Sequence, residues 1–476
     1  MKVSFIGHAA ILVETRGVRI LSDPWWQGPC FGTQWWIYPQ PWLEPLDETK
    51  PDFIYISHGH NDHLHPGTLR RFPNTTKILV SSVINIAASL AKLGFDVVTL
   101  PPREPREIAA GVKVEITPTC SGDTLMVVSD GQETCVNLND ALHAAPANVQ
   151  ESIAHYLVGR YAQADYVFCG YGTASHFPNC YMIPGKDSPA TASRRQAHFN
   201  GMWASIINRL QPKWAFPFAA DVVILQDELL WSNEPIHNFE RPVDRFRALY
   251  PTSRTEVYDL APGFVIENGI VTREHRSEPV SNADLRETKA ADILIANKTT
   301  APMLVQIEEI ATLLQQNVEI CRRYLSEHKG SYRILVSLTG GSAGIEIVKV
   351  GTGMTVATVQ EPIERDHYDL VFTTRFSYLR RALATAYGHE VIFVGSGGIW
   401  TYRDRAAAAR DLHSELAQLL RQVKHPPASR FGDQPAWLFN VKRSIKHIMW
   451  RNSLDLYDLM TWTVFSSWEN STRISE

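Results

Sequence analysis

The sequence predicts an α/β protein: an αββα sandwich, then a smaller α+β domain and a helical tail. Three observations carry this expectation. Apolar runs at residues 3–6, 10–15 and 18–22 are split by Gly7-His8-Ala9 and Arg16-Gly17, the pattern of a strand meander. Between residues 53 and 100, β-type runs at 53–56, 76–80 and 97–100 alternate with short helices expected at 66–71 and 84–93. That βαβ rhythm matches one half of a sandwich with helices outside. From residue 111 to 118 the apolar residues alternate with period two, and runs at 125–128 and 134–138 flank an Asp130-Gly131 turn as a hairpin.

Length sets the domain count. A chain of 476 residues is too long for one core, which favours two or three domains. The composition turns polar between Arg273 and Ser281, so the boundaries are read as 1–276 for the sandwich, 277–405 for the α+β domain and 406–476 for the tail. The net charge of −4 provides no electrostatic case for nucleic acid or an anionic membrane as partner. No apolar run reaches the roughly 18 residues of a membrane span, and Met1 to Gly7 reads as a strand rather than a signal peptide. Six cysteines occur without any CxxC and without a disulfide-like spacing, so a reducing cytoplasm is the expected setting. A CxH…CxxH pair, which a Rieske iron–sulfur centre requires, does not occur in this sequence.

The chemistry concentrates in His58-Gly59-His60-Asn61-Asp62-His63, directly after the apolar run at 53–56. Imidazole and carboxylate are the ligands of Zn, Fe and related divalent ions, and four such groups in six residues suffice for two neighbouring ions. His65 lies just outside the motif and is expected to support it or to face the pocket. Trp25-Trp26 and Trp35-Trp36, joined by a Gly/Pro loop, are too aromatic for a solvated loop. They either pack over the sandwich edge or wall a small-molecule pocket.

The HxHxDH motif after a strand resembles the metallo-β-lactamase fold. The opening Gly7-His8-Ala9, the run at 11–15 and Leu21-Ser22-Asp23-Pro24-Trp25 are similar to relatives that include phospholipase D and ascorbate-phosphate lactonase branches. That resemblance implies His8 and Asp23 near the pocket. It also implies a carboxylate bridging two metals at the end of the hairpin, a place Asp140 fits. A histidine ligand would precede the hairpin, but Thr119-Cys120-Ser121-Gly122-Asp123-Thr124 contains none. Asp123, in preference to Cys120, would serve there, and an oxygen donor shifts the preference from Zn towards Fe or Mn. A further late histidine is implied, with His176 and His198 as candidates. The strand where many relatives carry their last ligand reads Pro217-Phe218-Ala219 here.

Within this fold the chain resembles the CMP-N-acetylneuraminate hydroxylase family over roughly residues 1–270. The shared pieces are Asp23-Pro24-Trp25, Gly28-Pro29-Cys30-Phe31-Gly32, Trp35-Trp36, Tyr55-Ile56-Ser57-His58, Leu138-Asn139-Asp140, Phe177-Pro178 and Pro217-Phe218-Ala219. The resemblance implies O2-dependent hydroxylation. Without Rieske ligands, the electrons would come from an external reductase or ferredoxin. The expected centre is two divalent ions, iron favoured, with Zn or Mn as alternatives. His58, His60, Asp123 and Asp140 would hold one; Asp62, His63, Asp140 and His176 the other, with Asp62 and His176 as catalytic groups. The competing expectation is metal-dependent hydrolysis of a phosphodiester, lactone or amide. The substrate pocket would comprise His8, Asp23, Trp25, Trp26, Trp35, Trp36, His65 and His198 around a small polar molecule.

Downstream, a long helix over 305–328 precedes strands at 333–338, 345–350, 354–359 and 368–374 and a helix over 376–387. This order resembles sterol-carrier-protein-2-like domains. Gly395-Ser396-Gly397-Gly398 lacks the Lys-Ser/Thr of a P-loop and reads as a flexible turn. The tail from 406 to 466 has a helical pattern with Trp450, Tyr457 and Trp462, and is expected to pack on the core or on a second subunit.

Overall fold

Alternation along the strands decides which side chains share a core. In the strand Thr124–Ser129, Met126 and Val128 enter one core while Leu125 and Val127 enter another. The first core also takes Val3, Phe5, Ile11 and Val13 from Lys2–Gly7 and Ala10–Thr15, and Phe168 and Phe216 from Tyr166–Gly170 and Trp214–Phe218, so it lies between two sheets. The second core receives Ile153, Leu157, Trp203 and Ile207 from the helices Ala147–Tyr161 and Ser188–Leu210. A third core joins Leu12, Leu21, Ile54 and Ile78 to Leu46, Leu69 and Leu90, which come from the helices Glu44–Glu48, Pro66–Leu69 and Ala87–Lys92. Helices, sheet, sheet and helices follow in that order, the αββα sandwich the sequence predicts.

The computed structural model describes residues 1–424 apart from 120–122, 144, 146, 173–178, 239, 277, 327–329, 409 and 411. Cys120, His176 and the tail tryptophans Trp450 and Trp462 therefore lie outside the described residues. No helix among the described residues is long and apolar enough to cross a membrane.

The eight-stranded sheet runs in the order Ile270–Arg273, Val265–Glu267, Lys2–Gly7, Ala10–Thr15, Val18–Ser22, Phe53–Tyr55, Lys77–Ser81 and Val97–Leu100. Its last four strands are parallel, so their C-terminal ends face the same way. The seven-stranded sheet has Thr134–Asn139 and Tyr166–Gly170 as parallel neighbours. Two helices cover the outer face of this sheet. Ala147–Tyr161 follows a turn in which the carbonyls of the buried Leu142 and Ala145 accept from Gln150 Nε2, each at 3.0 Å. Ser188–Leu210 opens with Asp187 Oδ1 accepting the Ala190 N–H at 2.9 Å.

The chain forms two compact units: Met1–Ala174, Ser193–Leu225 and Leu230–Ala290 in one, Ser175–Ala192, Gln226–Leu229 and Ala291–Glu476 in the other. The division differs from a single cut at 276. The strand Tyr181–Met182 pairs with Gly398–Tyr402, more than two hundred residues on, and so belongs with the later sequence. The second unit holds a six-stranded sheet in the order Tyr181–Met182, Gly398–Tyr402, Leu370–Thr374, Tyr332–Leu338, Ala343–Val350 and Gly353–Gln360, and the helix Leu304–Ser326. Gly398, read with residues 395–397 as a flexible turn, instead opens the strand Gly398–Tyr402, because Leu370–Thr374 pairs with that segment throughout.

In the first unit a short ribbon pairs Trp35–Ile37 with Val222–Ile224. His237 Nε2 donates to the Val222 carbonyl at 2.6 Å. Burial, then the nearby Arg241 charge, lowers the His237 pKa to about 4. The unfolded chain takes up this proton below its ordinary pKa near 6.5, whereas the folded chain does so only near 4. Folding stability should therefore fall by about 1–3 kcal/mol as pH drops through that window. Denaturant titrations at pH 7 and pH 4 should show a smaller loss in His237→Gln than in the parent. An equal loss would show that His237 is not a source of acid lability.

Candidate metal centre

The site forms where the parallel strands end. Tyr55 is the last residue of its strand, and its carbonyl accepts the Asp23 N–H at 2.9 Å. Asp23 follows Val18–Ser22, has φ +35°, and is fully buried. Its carboxylate accepts the Ser57 N–H at 2.8 Å and the Ser57 hydroxyl at 2.7 Å, and lies 3.1 Å from His63 Nδ1. Ser57 Oγ also receives Asn139 Nδ2 from the other sheet and lies 3.0 Å from His58 Nδ1. Asp23 and Ser57 thus lock the His58 and His63 rings, as second partners do for metal-binding histidines. The motif itself closes as a turn, with the His63 and Leu64 N–H groups donating to the His60 carbonyl.

Among the described residues two triplets of buried or half-buried ligand groups result, one of His8, Asp62 and His63, the other of His58, His63 and Asp140. Within each, the ligand atoms lie within 4.8 Å of one another. His63 Nε2 is 3.2 Å from Asp62 Oδ2 and 3.3 Å from Asp140 Oδ2. His58 Nε2 is 2.8 Å from His60 Nδ1, and His58 Nδ1 is 3.9 Å from Asp123 Oδ1. Asp123 and His60 therefore stand beside the second triplet without being part of either. Two ligand atoms at metal–ligand distances of 2.0–2.1 Å lie about 3.0–3.4 Å apart, which is the spacing seen here. Asp62 Oδ1 and His63 Nε2 are buried without a hydrogen-bond partner. Unpaired buried polar atoms are costly, and a bound cation would satisfy such atoms. The residues therefore fit a metal centre.

The electrostatics agree. Burial alone would lower the His63 pKa, but the Asp62 and Asp140 carboxylates outweigh it and hold the ring well above its usual range. Asp62 and Asp140 are both depressed, since the His63 charge overcomes their burial. Burial and then the His63 charge push His58 down to about 4. A carboxylate-rich, water-poor cluster held this way is built for positive charge.

The remaining candidates fall into two groups. Trp25 is buried, packs edge-on to His8 at 5.2 Å and lies 6.4 Å from the His65 ring. His65 caps the helix Pro66–Leu69, its Nδ1 accepting the Thr68 N–H at 3.1 Å, and burial lowers its pKa to about 4. Trp25 thus lies against the first triplet, with His65 beside Trp25. Trp26, Trp35 and Trp36, expected in the pocket, are placed in the packing instead. Trp26 packs edge-on to Phe72 at 5.8 Å. Trp35 and Trp36 are buried in the ribbon, paired with Ile224 and Val223. His198 is also set back: it packs on Phe199, which packs on His143, whose Nδ1–H donates to the Asp140 carbonyl at 2.9 Å.

Three contributors have no motif. His143 follows Asp140 by three residues and holds its backbone. Gly170 leaves space: a Cβ there would lie 2.7 Å from the Asn139 carbonyl oxygen and 3.1 Å from Asp140 Oδ1. Asp221 accepts the His8 N–H at 3.1 Å. The nearest sequence signal for Asp221 is its place just after Pro217-Phe218-Ala219, where a ligand histidine was expected.

A family profile described as a beta-lactamase superfamily domain matches residues 2–137. A putative Rieske 2Fe-2S iron-sulfur protein of Mycolicibacterium smegmatis is 28% identical over 243 residues, covering 48% of this chain and 45% of that protein. The chain thus spans about half the length of that relative. The cytidine monophosphate-N-acetylneuraminic acid hydroxylase of Cricetulus griseus is 39% identical over 74 residues, 15% of this chain and 13% of the hydroxylase. Among solved structures, Igni18, a metallo hydrolase from Ignicoccus hospitalis, covers 56% of this chain and 97% of its own at 17% identity, with a TM-score of 0.37. The profile and the layer order together make the first unit a metallo-β-lactamase sandwich, a fold that binds metal ions.

Proposed function

We propose that this chain is a metal-dependent oxygenase that hydroxylates a small polar molecule at a dinuclear non-haem iron centre. The observation that carries the reading is the donor set: Asp62 and Asp140 within the triplets, and Asp123 beside His58 where the fold's resemblance leads one to expect histidine. Oxygen donors mixed with imidazoles favour Fe or Mn over Zn. The names of two relatives, a Rieske iron–sulfur protein and a hydroxylase, support the same direction.

In this reading iron supplies O2 binding and electron transfer to O2. The protein supplies the rest. Asp62, His63, His58 and Asp140 would hold the ions, while Asp23 and Ser57 fix the rings. Trp25 and His65 would exclude bulk water on one side. Asp62, whose Oδ1 has no hydrogen-bond partner in the protein, would hold an ion or accept a proton in turn. A cytoplasmic reductase or ferredoxin would deliver the electrons. The second unit would serve as a sterol-carrier-like cavity or packing surface. The competing reading is hydrolysis of a phosphodiester, lactone or amide. It rests on the generic HxHxDH motif and needs neither O2 nor reductant.

The test follows O2 uptake by iron-loaded protein supplied with a reductase, ferredoxin and a panel of small polar molecules. Uptake dependent on iron and reductant is expected, with Asp123→His shifting metal preference towards zinc and lowering uptake. Product release from esters or lactones under anaerobic conditions, without reductant, would establish the hydrolase instead.

A further inference from the structure

We infer that His8 is a ligand of the second ion, supplied by the turn between the first two strands. This rests on the metal-centre reading above, though not on the choice between oxygenase and hydrolase. His8 belongs to the meander, fifty-four residues before Asp62. It is 2% exposed, and its Nε2 lies 3.1 Å from Asp62 Oδ2. That is the spacing of two neighbouring ligands on one ion, and it matches the 3.2 Å between His63 and the same carboxylate oxygen. Asp62 Oδ1 is buried and unpartnered, so the carboxylate is not satisfied by the His8 contact alone.

The backbone is arranged to deliver this ring. Gly7 has φ +148° and His8 φ +51°, a left-handed conformation unfavourable for a non-glycine residue. The register of the first hairpin shifts between Phe5 and Gly7 to allow it. Such strain persists where surrounding structure enforces it, and here the enforcing groups are visible. Asp221 Oδ2 accepts the His8 N–H at 3.1 Å, and the His8 carbonyl accepts the Ala219 N–H at 2.9 Å. The segment after Trp214–Phe218, which contains no histidine, thus clamps a histidine from elsewhere against the centre. Trp25, edge-on at 5.2 Å, closes the other side.

The alternative is that His8 only orients Asp62 through an N–H···O bond. His8→Gln separates the two, because glutamine retains a donor for Asp62 but is a poor metal ligand. Zinc binding is measured by competition with a chromophoric chelator on the full chain, with a cooperative thermal transition as the check on folding. Removing an orienting partner typically costs 10–100-fold in metal affinity. The parent should bind two zinc ions, and His8→Gln should lose the second or bind it more than about 100-fold more weakly. If His8→Gln does not fold, His8→Asn takes its place. Two ions in the variant, with affinity within about 100-fold of the parent, would overturn the ligand role and leave the metal centre intact. Fewer than two ions in the parent would overturn the dinuclear centre itself, and His8 as ligand with it.

Discussion

Replacing His63 by alanine is expected to remove the dinuclear centre. His63 is the one residue shared by both triplets, and it is fully buried. Its Nε2 faces Asp62 and Asp140, and its Nδ1 faces Asp23. Loss of a partner behind a ligand costs 10–100-fold in metal affinity, so loss of the shared ligand should cost roughly 10³-fold or more for at least one ion. Turnover should fall at least as far, because both proposed chemistries require the ions in place. The variant also leaves the Asp23, Asp62 and Asp140 carboxylates without the imidazole they share, and like charges in a buried site repel. The metal-free variant should therefore melt below the metal-free parent. Equilibrium dialysis against zinc and thermal melts in EDTA would check both points. Two ions bound at parental affinity would remove His63 from the centre.

Asp23→Ala should produce the largest loss of stability near the site. Asp23 is fully buried and makes no contact with either triplet's centre except through His63 and Ser57. Its removal strands the Ser57 N–H, the Ser57 hydroxyl and His63 Nδ1 at once. Breaking a buried charge pair by deleting one partner costs about 3–5 kcal/mol. Asp23→Asn retains an acceptor for the Ser57 N–H and should lose less. Metal affinity should fall by about 10–100-fold in both, since the histidine rings lose their orienting partner. Denaturant titration of both variants, with zinc present and absent, separates the two effects. If Asp23→Ala were as stable as the parent, Asp23 would not be organising the strand ends.

These two residues show what sequence reasoning reaches. His58, His60, Asp62 and His63 are adjacent in sequence behind an apolar strand, so local spacing reveals them. Asp140 follows a hairpin whose period-two pattern is equally local. The sandwich is legible for the same reason, because Leu125, Met126, Val127 and Val128 assign themselves to two cores by alternation. The ties between distant segments are not legible. His8 meets Asp62 and Asp221 across 54 and 213 residues, and nothing in the spacing announces either contact. Trp25 and Trp26 look equivalent in sequence, yet one turns to His8 and the other to Phe72. Tyr181–Met182 joins the later sheet only because Gly398–Tyr402 is there to pair with it.

The same distinction bears on chemistry. The motif indicates metal binding, while the donors around it select the metal. Asp123 beside His58, and a His8 clamp where a late histidine was expected, both come from segments outside the motif. The central claim is that this donor set holds two irons. Elemental analysis with Mössbauer spectroscopy of protein purified anaerobically from iron-supplemented cells tests it most directly. Two irons per chain, with a signal that changes on exposure to O2, is the predicted result. Stoichiometric zinc with no iron would contradict the account and turn it to hydrolysis.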